Sequence, residues 1–234
     1  MHRPKFRLFH YPATRSARVK WVLHEALEDD FAVEIVDLYR GIQYGPEYLA
    51  RNPNHNVPTL EVTFPDGSTL DMIESGAMVA WIADLFPEKG LAPPVDTLSP
   101  ARADYLQMLH FGASWMDMML WQIRVHEHLL PPEERDPRSS RRYRAKMASE
   151  VEPQLRRRLE SSAFICGDTF TAADCVIGHN VTWARAYGMC QDEVFRNYLS
   201  RISRRPAFVK AFADAAEFNP APPDKAVASG KFTG

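Results

Sequence analysis

Three short stretches of the sequence hold side chains whose types and spacing suit chemistry on an anion or a nucleophile. In "HYPATRSARV" the hydroxyl groups of Tyr11, Thr14 and Ser16 fall in a turn-like segment between a short apolar run and an amphipathic one. In "MIESGAM", Glu74 and Ser75 stand between a strand and an apolar helical run. Ser75 is placed to cap that helix, whose first N–H groups then point at an anion. In "NHNVPTLEV", Pro58 enters what otherwise reads as the start of a strand, although proline has no N–H and stays out of sheet interiors. Each stretch also has a plain structural interpretation: a turn threonine, a capping serine, a trans proline at the start of an edge strand.

Other groupings point away from chemistry. His126 and His128 are two apart, a poor spacing for a helical metal site, and no third ligand stands near them in the sequence. No phosphate-binding glycine loop occurs. "RRYR" and "RRR" are interspersed with acids and read as solvated helix faces. With 28 Lys and Arg against 30 Asp and Glu, the net charge of -2 gives no pull towards nucleic acid or an anionic membrane. No apolar run approaches the roughly 20 residues of a spanning helix, and "MHRPKFRLFHYP" lacks the apolar core of a signal peptide. The 3 cysteines, Cys166, Cys175 and Cys190, are too few and too odd in number for a disulfide framework. A reducing cytoplasm is the simplest expectation.

The elements that must position these residues change character along the chain. "KFRLFH" is a short strand, "RSARVKWVLHEAL" an amphipathic helix with Val19, Val22, Leu23 and Ala26 on one face, and "FAVEIVDL" an alternating strand. Strand, helix, strand makes a βαβ unit with parallel strands. A short helix near "GPEYLARN" precedes two strands joined at Asp66-Gly67, a tight-turn signal for an antiparallel hairpin. An apolar helix, "ESGAMVAWIADLF", follows. The proline-rich "PEKGLAPPVDTLSP" then marks a boundary. Beyond it the pattern is helical throughout, with long helices over "ARADYLQMLHFGASWMDMMLWQIRVHEHL" and "RRYRAKMASEVEPQLRRRLE", the second kinked or divided at Pro153. The expected organisation is an α/β domain over 1–87, a linker over 88–99 and an all-α domain over 100–234.

A βαβ unit, a ββα unit and a helical domain resemble the glutathione S-transferase superfamily, whose first domain is thioredoxin-like. Three motifs carry the resemblance over nearly the whole chain. "NVPTL" matches the family's cis proline after a valine, where the Val57 backbone would pair with the cysteinyl part of glutathione as an added strand does. "ESG" matches the site for the γ-glutamyl group, with Ser75 at its carboxylate and Glu74 facing its amino group. "GDTFTAADCVIG" matches a structural capping box, Thr171 with Asp174. The resemblance implies glutathione as co-substrate, no metal and a homodimer. It further implies Asn56 and Gln43 as weaker anchors for the glycine carboxylate of glutathione.

Within this resemblance the catalytic question is which group stabilises the glutathione thiolate, since the thiolate is the nucleophile. Relatives that use serine carry it four residues before an arginine of the first helix, and counting back from Arg18 gives Thr14. Ser16 and Tyr11 are the other candidates, and backbone N–H groups alone are a further one. No cysteine stands in this loop, which argues against mixed-disulfide chemistry on the protein. The electrophile would lie against Met108, Phe111, Trp115 and Met119, although such a stripe is also what a core or a dimer contact requires. The leading expectation is a transferase that conjugates glutathione to small apolar electrophiles. The alternatives are a glutathione-dependent peroxidase or disulfide reductase without a protein cysteine, and a non-catalytic interaction module.

Overall fold

The computed structural model describes residues 3–96 and 98–218. Strand β1 (Lys5–His10), helix α1 (Ser16–Leu27) and strand β2 (Ala32–Ile35) form the βαβ unit, with β1 and β2 parallel. After the short helix α2 (Pro46–Arg51), strands β3 (Thr59–Thr63) and β4 (Thr69–Met72) form the antiparallel hairpin. Gly67 takes φ 86 in its turn, a conformation open to glycine at little cost. The sheet order is β2-β1-β3-β4, and helix α3 (Ser75–Leu85) follows β4. This is the thioredoxin-like arrangement expected from the sequence.

Although its sequence alternates, all four residues of β2 are exposed, including Val33 and Ile35. The strand is a short sheet edge with only β1 beside it. Burial starts again at Val36.

Strand register fixes where the loops emerge. Phe9 pairs with Thr59 and Leu60 with Met72. The chain leaving β1, the chain entering β3 and the chain leaving β4 therefore meet at one end of the sheet. That end carries Tyr11 to Arg15, Asn56 to Pro58, and Glu74 to Ser75.

Past Leu85, among the described residues, every regular element is a helix, and the one β interaction is an isolated bridge between Phe164 and Gly167. Helix α4 (Pro100–His110) passes through a π-helical segment, Phe111–Met116, into α5 (Asp117–Arg124) and a second π segment, Val125–Leu129. The wider turns let a neighbour insert: Asn180 Nδ2 donates to the Gly112 carbonyl at 2.7 Å. Gly112 has no room for a side chain, because a Cβ there would lie 2.7 Å from Ile177 and 2.9 Å from Val176. Helix α6 (Pro137–Lys146) runs through a third π segment, Met147–Val151, into α7 (Glu152–Ser161). The division falls just before Pro153, which cannot supply the N–H that an unbroken helix needs. Helices α8 (Ala172–Ala186), α9 (Glu193–Ile202) and α10 (Pro206–Ala211) complete the bundle.

The capping box of α8 is formed as the sequence indicates. Asp174 accepts from the Thr171 and Ile165 N–H groups, each at 2.9 Å, and from the Tyr198 hydroxyl at 2.9 Å. Burial pushes its carboxyl up to about 6 against those hydrogen bonds. The main apolar core runs from the sheet through α1 into the helices, and a smaller cluster of Phe9, Tyr11, Val36, Tyr48 and Val57 lies apart from it. Trp21 of α1 is the hinge of the main core, with its ring against Phe170, Phe208 and Phe212.

Candidate functional site

The loop after β1 gathers its hydroxyls around one buried serine. Ser16, the first residue of α1, is fully buried. Its Oγ lies 2.7 Å from His10 Nδ1 and 2.8 Å from Thr14 Oγ1, and it accepts from the Tyr11 N–H at 3.2 Å. Ser16 is thus an internal brace rather than a helix cap, and it has no surface to offer a ligand. Thr14 is half-buried, and its hydroxyl also lies 2.8 Å from the Tyr11 carbonyl. Tyr11 is buried, with its ring 5.7 Å from that of Tyr39 and 6.5 Å from that of Phe218. Of the three hydroxyl candidates, Thr14 combines partial exposure with a place at the sheet's loop end.

The loop before β3 has a cis peptide bond between Val57 and Pro58. Ladder pairing with β1 begins at Thr59, so the N–H and C=O of Val57 lie ahead of the sheet's own pairs. Two residues that the sequence did not single out hold this loop. The Tyr48 hydroxyl donates to the Asn56 carbonyl at 2.7 Å. Buried Asn52 donates through Nδ2 to the same carbonyl at 2.9 Å and to Asn56 Oδ1 at 3.0 Å. The Asn56 side chain is exposed, with its oxygen engaged by Asn52. Gln43 lies apart from this arrangement. It is buried, and its Nε2 donates to the Leu38 carbonyl at 3.0 Å. It braces its own loop instead of facing outward.

At the start of α3, Glu74 holds the cap position with φ 73 and ψ 100, a left-handed conformation uncommon outside glycine. Ser75 is the first helical residue rather than the cap, and no side chain caps the helix. The expected cap geometry therefore shifts by one residue. First-turn N–H groups still head the helix dipole beside the Val57 loop, a setting suited to a carboxylate. Gly76 lets α3 close onto the first π segment, since a Cβ there would lie 2.8 Å from Ala113 Cβ.

The apolar wall expected from the second half divides differently. Met108 and Met119 are buried in the main core, Phe111 packs against that core, and Trp115 lies 40% exposed beneath the Lys146 ammonium, 5.0 Å from its ring centre. The core claims Met108 and Met119, so neither can face a ligand. The residues that α5 and α8 bring to the Thr14 loop are Asp117, Trp121 and Trp183. Arg15, next to Thr14, ion-pairs with Asp117 at 2.6 Å and lies over both indole rings, 4.8 and 5.4 Å from their centres.

Beneath that pair is a buried charge. Arg18 is fully buried, and its Nη2 reaches Asp117 at 2.7 Å, Asn180 at 2.8 Å and His179 Nδ1 at 3.0 Å. Burial raises the Asp117 carboxyl, but the Arg18 and Arg15 charges outweigh it and hold the group below its ordinary value. Burial and the Arg18 charge push His179 down to about 3, so its ring is neutral.

The described cysteines take no part in this end of the molecule. Burial raises all three thiols, Cys166 to about 12, so none is a ready nucleophile. Among the described residues there is no group of three metal-ligating side chains, and no helix is long and apolar enough to cross a membrane.

Comparison with known proteins converges on one family. Residues 4–84 match the model of the glutathione S-transferase N-terminal domain. The chain is 28% identical over 212 residues to the disulfide-bond oxidoreductase YfcG of Escherichia coli K12, covering 89% of this chain and 94% of that protein. It is 25% identical over 205 residues to the glutathione S-transferase GstA of Escherichia coli O157:H7, covering 86% and 94%. Among solved structures it is similar to a sphingomonad glutathione S-transferase complexed with glutathione (TM-score 0.73, 25% identity, covering 90% and 98% of the two chains). A glutathione transferase from Methylococcus capsulatus is similar too (TM-score 0.76, 25% identity, covering 91% and 100%).

Proposed function

The chain belongs to the glutathione S-transferase superfamily, and from that premise we propose that it binds glutathione at the loop end of the sheet and conjugates it to small apolar electrophiles. The observation that carries this reading is the register-imposed meeting of the Thr14, Val57 and Glu74–Ser75 loops. The Val57 backbone pairs with the cysteinyl unit. The start of α3, with Ser75, receives the γ-glutamyl carboxylate, Glu74 faces the γ-glutamyl amino group, and Asn56 is a weaker anchor for the glycyl end. Thr14 then stands where the sulfur falls.

Glutathione's thiol is a cysteine thiol with a free pKa of about 8.5. A donated hydrogen bond and the nearby start of α1 lower it, and every unit of depression corresponds to about 1.4 kcal/mol. The electrophile enters beside Arg15, Trp121 and Trp183, where apolar walls exclude water and proximity supplies much of the rate. The proposal includes a division into a glutathione domain over 1–87, a linker over 88–99 and a helical domain over 100–234, a homodimer, and a cytoplasmic setting.

A second reading has its own support. The similarity to a disulfide-bond oxidoreductase and the buried, proton-holding cysteines favour reduction of disulfides or peroxides by glutathione itself. Capture on immobilised glutathione, followed by turnover of a panel of electrophiles, peroxides and glutathione-mixed disulfides, separates the readings. Failure to bind glutathione refutes both and leaves an interaction module.

A further inference from the structure

The reaction just proposed needs somewhere for the thiol proton to go, and the loop after β1 has a continuous path for it. Thr14 Oγ1 lies 2.8 Å from Ser16 Oγ, which lies 2.7 Å from His10 Nδ1, and His10 Nε2 lies 3.0 Å from Asp214 Oδ2. The path runs from a half-buried threonine to a serine and a histidine that are both fully buried.

The direction of each bond follows from its last member. Lys20 Nζ lies 2.6 Å from the same Asp214 oxygen. Burial raises the Asp214 carboxyl, but its bonds to His10 and Lys20 outweigh this and hold it at about 2. Asp214 is therefore ionised and can only accept, so His10 must carry its proton on Nε2. Nδ1 is then an acceptor, and Ser16 donates to it at 2.7 Å rather than to the Tyr11 carbonyl at 3.0 Å, since otherwise two lone pairs would face each other at the shorter distance. A hydroxyl has one proton to give. Ser16 has given it, and it accepts from the Tyr11 N–H and from Thr14. The Thr14 proton thus points inward, shared between Ser16 and the Tyr11 carbonyl, each 2.8 Å away, and what Thr14 offers a ligand in this state is a lone pair.

A threonine in that state cannot donate to a thiolate. We propose that the buried His10–Asp214 pair is the proton acceptor for the bound thiol, reached through Ser16 and Thr14. In one concerted shift the sulfur proton passes to Thr14 Oγ1, the Thr14 proton to Ser16 Oγ, and the Ser16 proton to His10 Nδ1. Each hydroxyl loses one proton and gains one. The products are a thiolate and an imidazolium whose Nε2–H remains on Asp214. Every bond along the path is reversed, so Thr14 now donates to the sulfur. Thr14 is the catalytic residue, and Ser16, His10 and Asp214 act through it.

The charged groups facing His10 are Asp214, from the segment after α10, and Lys20, from α1. Burial and Lys20 lower the imidazole against the pull of Asp214, so it is neutral before glutathione arrives, and holding the proton afterwards takes the charge of the new thiolate as well as that of Asp214. Asp214 then supplies the countercharge when the ring is protonated, as a buried carboxylate does for a catalytic imidazole elsewhere.

This inference rests on glutathione being the ligand, and one calorimetric experiment tests the two separately. Glutathione is titrated into the whole protein near neutral pH in buffers of different ionisation enthalpy, with the ultraviolet thiolate band recorded in parallel. Binding heat with a thiolate band tests the ligand. The buffer dependence counts protons released. The relay predicts thiolate formation with almost no proton release, because the proton stays on His10. One proton released per thiolate formed overturns it. In His10→Asn, which keeps a hydrogen-bonding group but cannot hold the proton, the thiolate fraction should fall by about tenfold or more, the equivalent of one pKa unit. An unchanged band in a folded His10→Asn protein also overturns the relay. If that variant does not fold, the wild-type proton count decides alone. Absence of any binding heat refutes the glutathione reading, and the relay with it.

Discussion

Asp117 is the sole carboxylate in contact with Arg18 among the described residues, and its removal is the sharpest test of how α5 is tied to α1. Arg18 is fully buried, and its other partners, Asn180 and His179, are neutral. Its Nε and Nη1 have no hydrogen-bond partner. Asp117→Ala therefore strands a guanidinium that cannot give up its proton, a loss of about 3–5 kcal/mol for a broken buried pair. The second ion pair, from Arg15, is 30% exposed at that side chain and adds little. For a chain of this length each kcal/mol moves Tm by roughly 2–4 °C, so Tm should fall by about 6–20 °C. Asp117→Asn keeps an acceptor and should lose less. In Arg18→Met combined with Asp117→Leu, no charge is buried, and stability should return to within about 1 kcal/mol of wild type. The Asp117 carboxyl is held low in the folded state. Its contribution is therefore present above the ordinary carboxylate range and is lost as pH falls through the depressed folded value. The gap between wild type and Asp117→Ala should narrow on acidification. Urea midpoints read all of this. A loss below about 1 kcal/mol in Asp117→Ala at neutral pH, or a double variant as unstable as the two singles added, refutes the reasoning.

Thr14→Val should raise the pKa of bound glutathione by about one to two units and cut turnover near neutral pH by about tenfold or more, and Thr14→Ser should recover most of that loss. Ultraviolet titration of the complex measures it. Ser75→Ala should weaken glutathione binding by about 1–2 kcal/mol in calorimetry, the range of a charge-assisted hydrogen bond. Asp174→Asn replaces one acceptor with a donor among buried N–H partners and should destabilise by about 1–3 kcal/mol. The folded Asp174 carboxyl titrates near 6, above its ordinary value, so wild-type stability from this group falls as pH rises from about 4 to 6, and the difference between the two proteins should shrink over that interval. Sedimentation should find a homodimer, with α3 and α4 in its interface; a dilute, fully active monomer would contradict this.

The parts of the site legible in the sequence were those set by local rules. Pro58 at a strand entry, Asp66-Gly67 at a turn and Thr171 with Asp174 at a helix start each announce themselves over a few residues. Tyr48 and Asn52 did not, because a side chain that braces a neighbouring loop looks like any residue of a short polar helix. Met108 and Met119 satisfied a helical stripe, but periodicity reports only that a face is covered, and here the core covers it. His10 and Asp214 were illegible for a third reason. They stand 204 residues apart, and neither has a local motif. The π segments add to this, since they shift the helical phase after Phe111, and Trp115, Met118 and Trp121 all stay exposed.

The ties between α1 and the end of the described chain bear on how the molecule is made. Trp21 meets Phe208 and Phe212, Glu25 binds Arg205, and Lys20 binds Asp214. On the ribosome the sheet and its three helices emerge first, and folding of a leading unit can begin then. At that stage the indole of Trp21 and the charges of Lys20 and Glu25 face water or the emerging chain. They gain their partners only when residues near Asp214 have left the exit tunnel. A nascent chain stalled before α10 would therefore hold every loop of the glutathione site and still lack Asp214. Helix α1 waits for partners far along the chain, and competence arrives only once Asp214 has emerged rather than as each loop forms.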